Sequence, residues 1–358
     1  MIFTKKKKDT EQTGITLAVP QMYSNERFAE NYCSYGLYEK LRSEVPIINA
    51  AIERLVRLCG SFTVETGNGA YDRRVTELLK TVPVGGSCIG IDSFVMQYLD
   101  RLLTYGTAVA EMVPDRNMEK FGLYIANPHN IILKRSLKEP MKTDIYVRDR
   151  FSERKVKNPG LCLLSAINPK PDSLYGVSLL EGLPFVSTAL VTIFDTINKN
   201  WERAGNIRYS VNYKPQSDTL ERGLARDRAE QIATEWQSAM SNRNEVKDFI
   251  SVGDVSIKVI GSDSKILDSE VPVRQLLEQI VAKTGLPPFL LGLSWSSTER
   301  MAEMQTDLLT SEIWAYRNLI TPVITKICQM GLRMNGINTA VNIIWDDISL
   351  LEKAGEKV

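Results

Sequence analysis

The stretch that most limits how this chain can fold is 286–335. Residues 286–298 carry no charged side chain, include the adjacent prolines Pro287 and Pro288, and contain an exposed-reading Ser294-Trp295-Ser296-Ser297. They lead into a helical pattern that opens with Ser296 and Glu299 in capping-box spacing and stops at Gly336. At ~1.5 Å per residue this helix reaches roughly 50 Å, and Pro322 should kink it. A second long pattern, 184–204, has Pro184 in a first-turn position, ends at Gly205 and spans about 30 Å. Val186, Leu190, Ile193, Ile197 and Trp201 form its stripe. Long helices with one-sided stripes in a chain of this size imply assembly, with their other faces meeting neighbouring subunits.

Between the two long helices the pattern reads as a small α/β insertion. It has a strand at Ile207–Tyr213, a charged helix at 218–241 opened by Asp218 and Glu221, and strands at Asp248–Val252 and Val255–Ile260. A helix at 272–284 follows, expected to bury Val273, Leu276, Leu277, Ile280 and Val281. The first half reads as an α+β body. Its helices are 43–60 (capped by Ser43, with Ile48, Ile52, Leu55, Val56 and Cys59 at helical spacing), 71–81 and 92–104. Its strands are Phe62–Glu65, Thr107–Val113, Leu123–Ala126, Ile131–Lys134, Asp144–Arg148 and Leu161–Ser165, and a last strand is expected at Ala340–Trp345.

Composition removes whole classes of function. Lysine plus arginine number 44 against 43 aspartate plus glutamate, a net charge of +1, which argues against a surface that grips nucleic acid everywhere. The clearest basic run, Lys5–Lys8, reads as a solvated tail or as an arm that touches nucleic acid or a partner. The five cysteines are widely spaced without a C-x-x-C, which predicts buried free thiols in a reducing compartment. No apolar run follows the charged start as a secretory signal would require, and none reaches the ~18 residues of a bilayer span. The single histidine, His129, lies in the turn Asn127-Pro128-His129-Asn130, so histidine-rich metal sites and most zinc modules are excluded.

The remaining catalytic patterns also fall away. There is no P-loop, and Gly85, Gly86 and Gly90 lack dinucleotide-binding spacing. Asp346-Asp347 after a strand reads as a solvated turn rather than a metal site. Ser262-Asp263-Ser264-Lys265 and Lys283-Thr284-Gly285 match two elements of serine acyl-transfer enzymes, but they lie about twenty residues apart with no S-D-N between them. They read as a strand-to-helix loop and a helix C-terminus. Trp295 either packs on the following helix or lines a contact surface for a large partner. Arg203, Arg208 and Lys214 are either solvated or touch phosphates by simple charge. No enzyme activity, cofactor or metal is expected.

Three stretches in this order resemble the portal proteins of tailed bacteriophages, the head-to-tail connector family. They are Asn168-Pro-Lys-Pro-Asp-Ser-Leu-Tyr-Gly-Val-Ser-Leu-Leu, the long helix after it, and L-L-E-Q-I-V-A-K-T-G-L-P-P-F-L-L over Leu276–Leu291. The resemblance covers Val45 to Trp345. It implies an α+β portal fold: a flexible arm (1–29), an α+β wing (30–170), a stem helix with its lead-in (171–205), a small α/β clip (206–268) and a second stem helix (269–285). A tunnel loop (286–298), a long wing helix with a returning strand (299–345) and a short tail or vestigial crown (346–358) complete it.

The same resemblance implies a homo-oligomeric ring, usually of twelve subunits, at one capsid vertex of the virion, assembled in the host cytoplasm and without membrane contact. Double-stranded DNA would pass through it during packaging and ejection. The terminase large subunit and then a head-completion adaptor would dock on it, and major capsid or scaffolding protein would surround it. Leu293, Ser294, Trp295, Ser296, Ser297 and Thr298 would face the channel. Arg203, Arg208 and Lys214 would touch the DNA backbone. Arg222, Arg226, Trp236 and Lys247 would make clip contacts with neighbours or terminase. A charge-free loop suits a sleeve in which DNA must slide, since strong phosphate binding would hold it. The other implied class is a different non-enzymatic capsid or connector structural protein.

Overall fold

A computed structural model describes residues 34–348, apart from 118–119, 138, 140–141, 150–151, 172, 206–207, 215–225, 228, 235–253, 261–268, 294 and 296–298. It is a mixed helix-and-sheet chain in two units, one made of the residues up to Thr188 and from Leu276 onward, the other of Ala189–Gln275.

The first unit opens with a helix over 34–44 (α1) and continues, after Val45, into α2 (Pro46–Leu58). The sequence pattern put one helix at 43–60 capped by Ser43. Instead Pro46, which has no N–H to leave unpaired, starts α2, and the Ser43 hydroxyl donates to the Lys40 carbonyl of the preceding turn at 2.9 Å. The expected stripe of α2 is buried as read: Ile48, Ile52, Leu55, Val56 and Cys59 are all under 9% exposed. β1 (Phe62–Glu65) pairs antiparallel with β12 (Asn342–Trp345), tying together two ends of the sequence. α3 (Gly69–Thr81) starts at Asn68, whose side chain accepts from the Ala70 amide.

α4 (Ile91–Tyr105) carries the densest core. Phe94, Tyr98, Leu99, Leu102 and Leu103 are all at most 1% exposed, and each such side chain contributes about 1.5–3 kcal/mol by burial. α4 packs on a five-stranded sheet ordered β3-β2-β5-β4-β9, from β2 (Pro83–Val84), β3 (Cys88–Ile89), β4 (Thr107–Pro114), β5 (Phe121–Ile125) and β9 (Cys162–Ala166). A three-stranded antiparallel sheet, β6 (Ile131–Arg135), β7 (Thr143–Asp149) and β8 (Ser152–Lys155), buries Ile131, Leu133 and Ile145 beside Val109 and Tyr175. β8 was not expected, because Ser-Glu-Arg-Lys has neither strand propensity nor alternation. It forms because β7 offers a ladder, and its charges suit an exposed edge.

The longest helix of the first unit is α7 (Glu299–Met334), 36 residues that run through Pro322, which is exposed. Its buried face is Leu309, Ile313, Tyr316, Arg317, Ile320, Ile324, Ile327 and Cys328, and it packs on α3, β9 and β12. Lys326 donates to the Cys162 carbonyl of β9 at 2.8 Å, and Trp345 donates to the Thr321 hydroxyl at 2.9 Å.

The second unit holds the outer part of α5 (Leu183–Gly205), β10 (Arg208–Lys214) and β11 (Asp254–Ile260), the helical residues 226–227 and 229–234, and the start of α6 (Glu270–Thr284). β10 and β11 pair antiparallel over seven residues, from Arg208 against Ile260 to Lys214 against Asp254. The stripe expected on α5 is only partly buried: Leu190 is 2% exposed, but Trp201 is 62% exposed. Of the five α6 residues expected inside, Ile280 alone is fully buried, and Val273, Leu276, Leu277 and Val281 are half-buried. A single chain covers these two helices incompletely.

Candidate functional site

The charge-free segment is shaped by its prolines. Leu286 is buried, and Pro288–Leu291 form a 3-10 turn that lies against α2. The turn is closed by Leu290 N–H to the Pro287 carbonyl (3.0 Å), Gly292 N–H to Phe289 (3.2 Å) and Leu293 N–H to Pro288 (3.0 Å). Leu293 and Trp295 are half-buried, while Phe289 is 48% exposed. The other expected channel residues, Ser294, Ser296, Ser297 and Thr298, lie outside the described residues.

The expected phosphate contacts are dispersed along the backbone. Arg203 sits in the last turns of α5, and Arg208 and Lys214 stand at opposite ends of β10, roughly 20 Å apart at ~3.4 Å per residue. Of the residues assigned to clip contacts, Arg226 is described: its guanidinium meets Glu230 one turn on at 3.2 Å, with side chains 89% and 69% exposed, a weak surface pair. Arg222, Trp236 and Lys247 lie outside the described residues, as does the Ser262–Lys265 match. Lys283-Thr284-Gly285 is a helix C-terminus, with the Thr284 hydroxyl donating back to the Ile280 carbonyl at 3.0 Å.

Residues suited to catalysis are engaged in packing. His129 sits in the turn Pro128–Asn130 with its Nε2 3.0 Å from Glu39 Oε1, which also accepts from the Tyr105 hydroxyl at 2.7 Å. These two bonds, the tyrosine's first, hold the Glu39 carboxyl below its usual range. Burial pushes the Cys59 and Cys328 thiols up to about 12, so they are inert as nucleophiles. Among the described residues no group of three or more His, Cys, Asp and Glu is placed to hold a metal. An open groove of about 600 Å³ is lined by Glu53, Arg57, Met96, Asp100, Arg101 and Tyr124; in it Arg57 pairs with Glu53 at 3.2 Å, and Asp100 pairs with Arg42 at 2.8 Å.

Two structural centres were not read from the sequence. The first is the Leu-Tyr-Gly-Val-Ser run. The Tyr175 hydroxyl accepts the Leu133 amide at 2.8 Å. The Ser178 hydroxyl donates to the Thr104 carbonyl at 2.6 Å and accepts the Leu180 amide at 2.9 Å. Between them Gly176 passes so close to Gly106 and Ile167 that a Cβ on it would sit 2.1 Å from the Gly106 carbonyl oxygen. Gly106 itself has φ +77° and closes α4. This run therefore stitches α4, β4 and β6 together. The second is Arg317, 1% exposed, which donates to the Cys59 carbonyl at the end of α2 (2.9 Å) and the Asp346 carbonyl after β12 (2.7 Å). Its guanidinium lies 5.1 Å from the ring centres of both Trp314 and Trp345. Asp346, solvent-facing beside Asp347, thus takes part through its main-chain carbonyl. Both centres hold elements of the first unit together.

No protein-family model and no curated protein matches this sequence. Solved structures do match in fold. A chain from the virion of a native gene transfer agent (GTA) particle aligns over 85% of this chain and 81% of its own, with TM-score 0.61 and 13% identity. A chain from the neck of the native GTA particle, computed with C12 symmetry, aligns over 86% and 82%, with TM-score 0.59 and 14% identity. An HK97 family phage portal protein from Corynebacterium diphtheriae aligns over 88% and 96% at 14% identity, but its TM-score of 0.43 is too low for a fold to be read from it. The chain therefore has the fold of a subunit of the GTA virion and neck.

Proposed function

We propose that this chain is a portal subunit: a non-enzymatic protein that forms a ring at one capsid vertex and serves as the conduit for DNA during packaging and ejection. The observation that carries this is the fold shared over more than four-fifths of the chain with a neck subunit of a particle computed with C12 symmetry. The order of portal-like segments in the sequence points the same way. In this reading α5 and α6 are the stem helices, the β10–β11 region belongs to the clip, and the first unit forms the wing. The terminase large subunit, then a head-completion adaptor, would dock on the clip, with major capsid or scaffolding protein around the wing. Residues 293–298 would face the channel, and Arg203, Arg208 and Lys214 would position the DNA backbone by charge. Each contact is repeated once per subunit, so weak contacts suffice.

The test is the mass and shape of the purified particle. A twelve-fold ring of 40.3 kDa chains weighs roughly 480 kDa and shows a central hole by negative stain. A chain that stays monomeric alone and with its capsid protein rejects the reading. Deleting Ser294–Ser297 should leave rings intact and impair packaging or DNA retention. Undiminished packaging would remove the channel role from that loop.

A further inference from the structure

We infer that the outer edge of β8 is a docking strand, to which an extended acidic segment of a partner protein adds as a fourth strand of the β6-β7-β8 sheet. The ladder shows which main-chain groups are presented. The Val156 amide donates to the Ile145 carbonyl at 2.9 Å, next to the paired residues Lys155 and Tyr146. In an antiparallel ladder the residues that bond the neighbouring strand alternate along the chain. Ser152, Arg154 and Val156 therefore turn their N–H and C=O groups to β7, and Glu153 and Lys155 turn theirs outward. Ser152–Lys155 are exposed throughout, and no main-chain partner among the described residues meets the outward groups of Glu153 and Lys155. Neighbouring edges are closed. On β6 the Leu133 amide donates to the Tyr175 hydroxyl at 2.8 Å, and on β9 the Cys162 carbonyl accepts from Lys326 at 2.8 Å.

Charge selects the occupant. Residues 134–157 carry nine lysines and arginines against four aspartates and glutamates, in a chain whose net charge is +1, so the remainder of the chain is net acidic. On the face of the sheet that holds Tyr146, the charges are paired within the sheet: Lys134 with Glu153 at 2.7 Å and Lys155 with Asp144 at 2.5 Å. Lys134 also lies 4.8 Å from the Tyr146 ring centre. Arg154 and Lys157, beside the open edge, are exposed and have no ion pair among the described residues. A strand laid against β8 meets these two cations, so carboxylates on it are favoured and lysines on it are disfavoured. Two β8 edges from two copies would set arginine and lysine against arginine and lysine, which opposes self-pairing. Duplex DNA has no row of main-chain donors and acceptors to match Glu153 and Lys155, and the carboxylates of Glu153 and Asp144 among the cations repel its phosphates. An acidic strand meets both requirements: main-chain hydrogen bonds supply the affinity, and charge supplies the choice of partner.

The experiment titrates the full chain, up to about 1 mM, against a fluorescein-labelled, capped octapeptide of alternating glutamate and valine, and follows anisotropy and hydrogen exchange in β8. The glutamine-valine counterpart and random-sequence duplex DNA are run beside it. The expected result is saturable binding of the acidic peptide that weakens with salt, slower exchange of the Glu153 and Lys155 amides, and roughly tenfold or more weaker binding of the glutamine peptide. Arg154→Glu/Lys157→Glu should lose roughly tenfold or more. Glu153→Pro separates strand addition from charge alone. It removes an outward N–H and no ladder bond, so the pairing of β7 with β8 should survive, which circular dichroism and exchange in β7 check. It also removes a negative charge, so a purely electrostatic site would bind the acidic peptide more tightly. Strand addition requires loss of binding in Glu153→Pro and retention in Glu153→Gln. If Glu153→Pro frays β8, the exchange of the wild-type amides decides. Absent wild-type binding, binding that leaves the Glu153 and Lys155 amides unslowed, or tighter binding by a folded Glu153→Pro overturns the proposal. Duplex DNA that displaces the peptide and slows the same amides overturns it in favour of a phosphate-binding surface.

Discussion

The body around α4 and the outer part of α5 treat apolar side chains in opposite ways. In the first, Phe94, Tyr98, Leu99, Leu102 and Leu103 are sealed to within 1% of complete burial, and the polar groups beside them are paired: the Tyr98 hydroxyl donates to the Ala108 carbonyl at 3.1 Å. In the second, Phe194 and Trp201 stand about half or more exposed on a helix whose apolar face is only partly covered. One region is finished by its own chain. The other leaves side chains of interior type at the surface. Substitutions in the first region should therefore act on folding, and in the second on association.

The sharpest test of the finished region is Gly176→Ala. Its Cβ would meet backbone atoms at 2.1–2.6 Å that belong to Gly106 and Ile167 and cannot step aside. A loss upwards of ~4 kcal/mol is expected in urea unfolding, seen as failure to fold or a large fall in midpoint. A near-neutral result would mean that the stitch is looser than drawn. Arg317→Met keeps the apolar stem but strands the Cys59 and Asp346 carbonyls, and should cost about 3 kcal/mol by the same measurement.

A smaller effect is expected with pH. The Glu39 carboxyl is held below its usual range by the Tyr105 hydroxyl and His129. Its folded-state contribution is therefore present above the unfolded carboxylate pKa and lost as pH falls through the folded one. At half exposure this is well under ~1 kcal/mol. Glu39→Gln should flatten that part of an acid titration of stability, and an unchanged profile would show that the contact with α1 is passive. The smallest effect belongs to the unfinished region. Trp201→Gln should change the unfolding free energy of the dilute monomer by no more than ~0.5 kcal/mol while weakening association. A large loss of monomer stability would erase the contrast between the two regions.

Elements with strong local periodicity were legible in the sequence. The stripe of α2 and the bounds of α4 to within a residue follow from side-chain spacing, since i, i+3, i+4 neighbours meet on a helix whatever surrounds it, and β1 was read at its observed bounds. α1 was not read, although Tyr35, Tyr38 and Leu41 are buried on it. It is short, and the proline after it draws the apparent helix start toward Ser43. β8 was missed because only its partner makes it a strand. The Leu-Tyr-Gly-Val-Ser run was visible as part of a resemblance, but its role in holding α4, β4 and β6 was not.

The sequence by itself determined the strongly periodic helices, that a charge-free proline loop precedes a very long helix, and that one histidine leaves histidine-rich chemistry little material to work with. Those properties are local, or are matters of composition. The tertiary structure alone decided that Gly176 lies against Gly106, seventy residues away, and that Arg317 bridges α2 and the end of β12. It also decided that Leu190 on α5 is covered while Phe194 and Trp201 are left exposed. These depend on distances between residues far apart in the chain, and no spacing along a sequence encodes such a distance until the chain has folded back on itself.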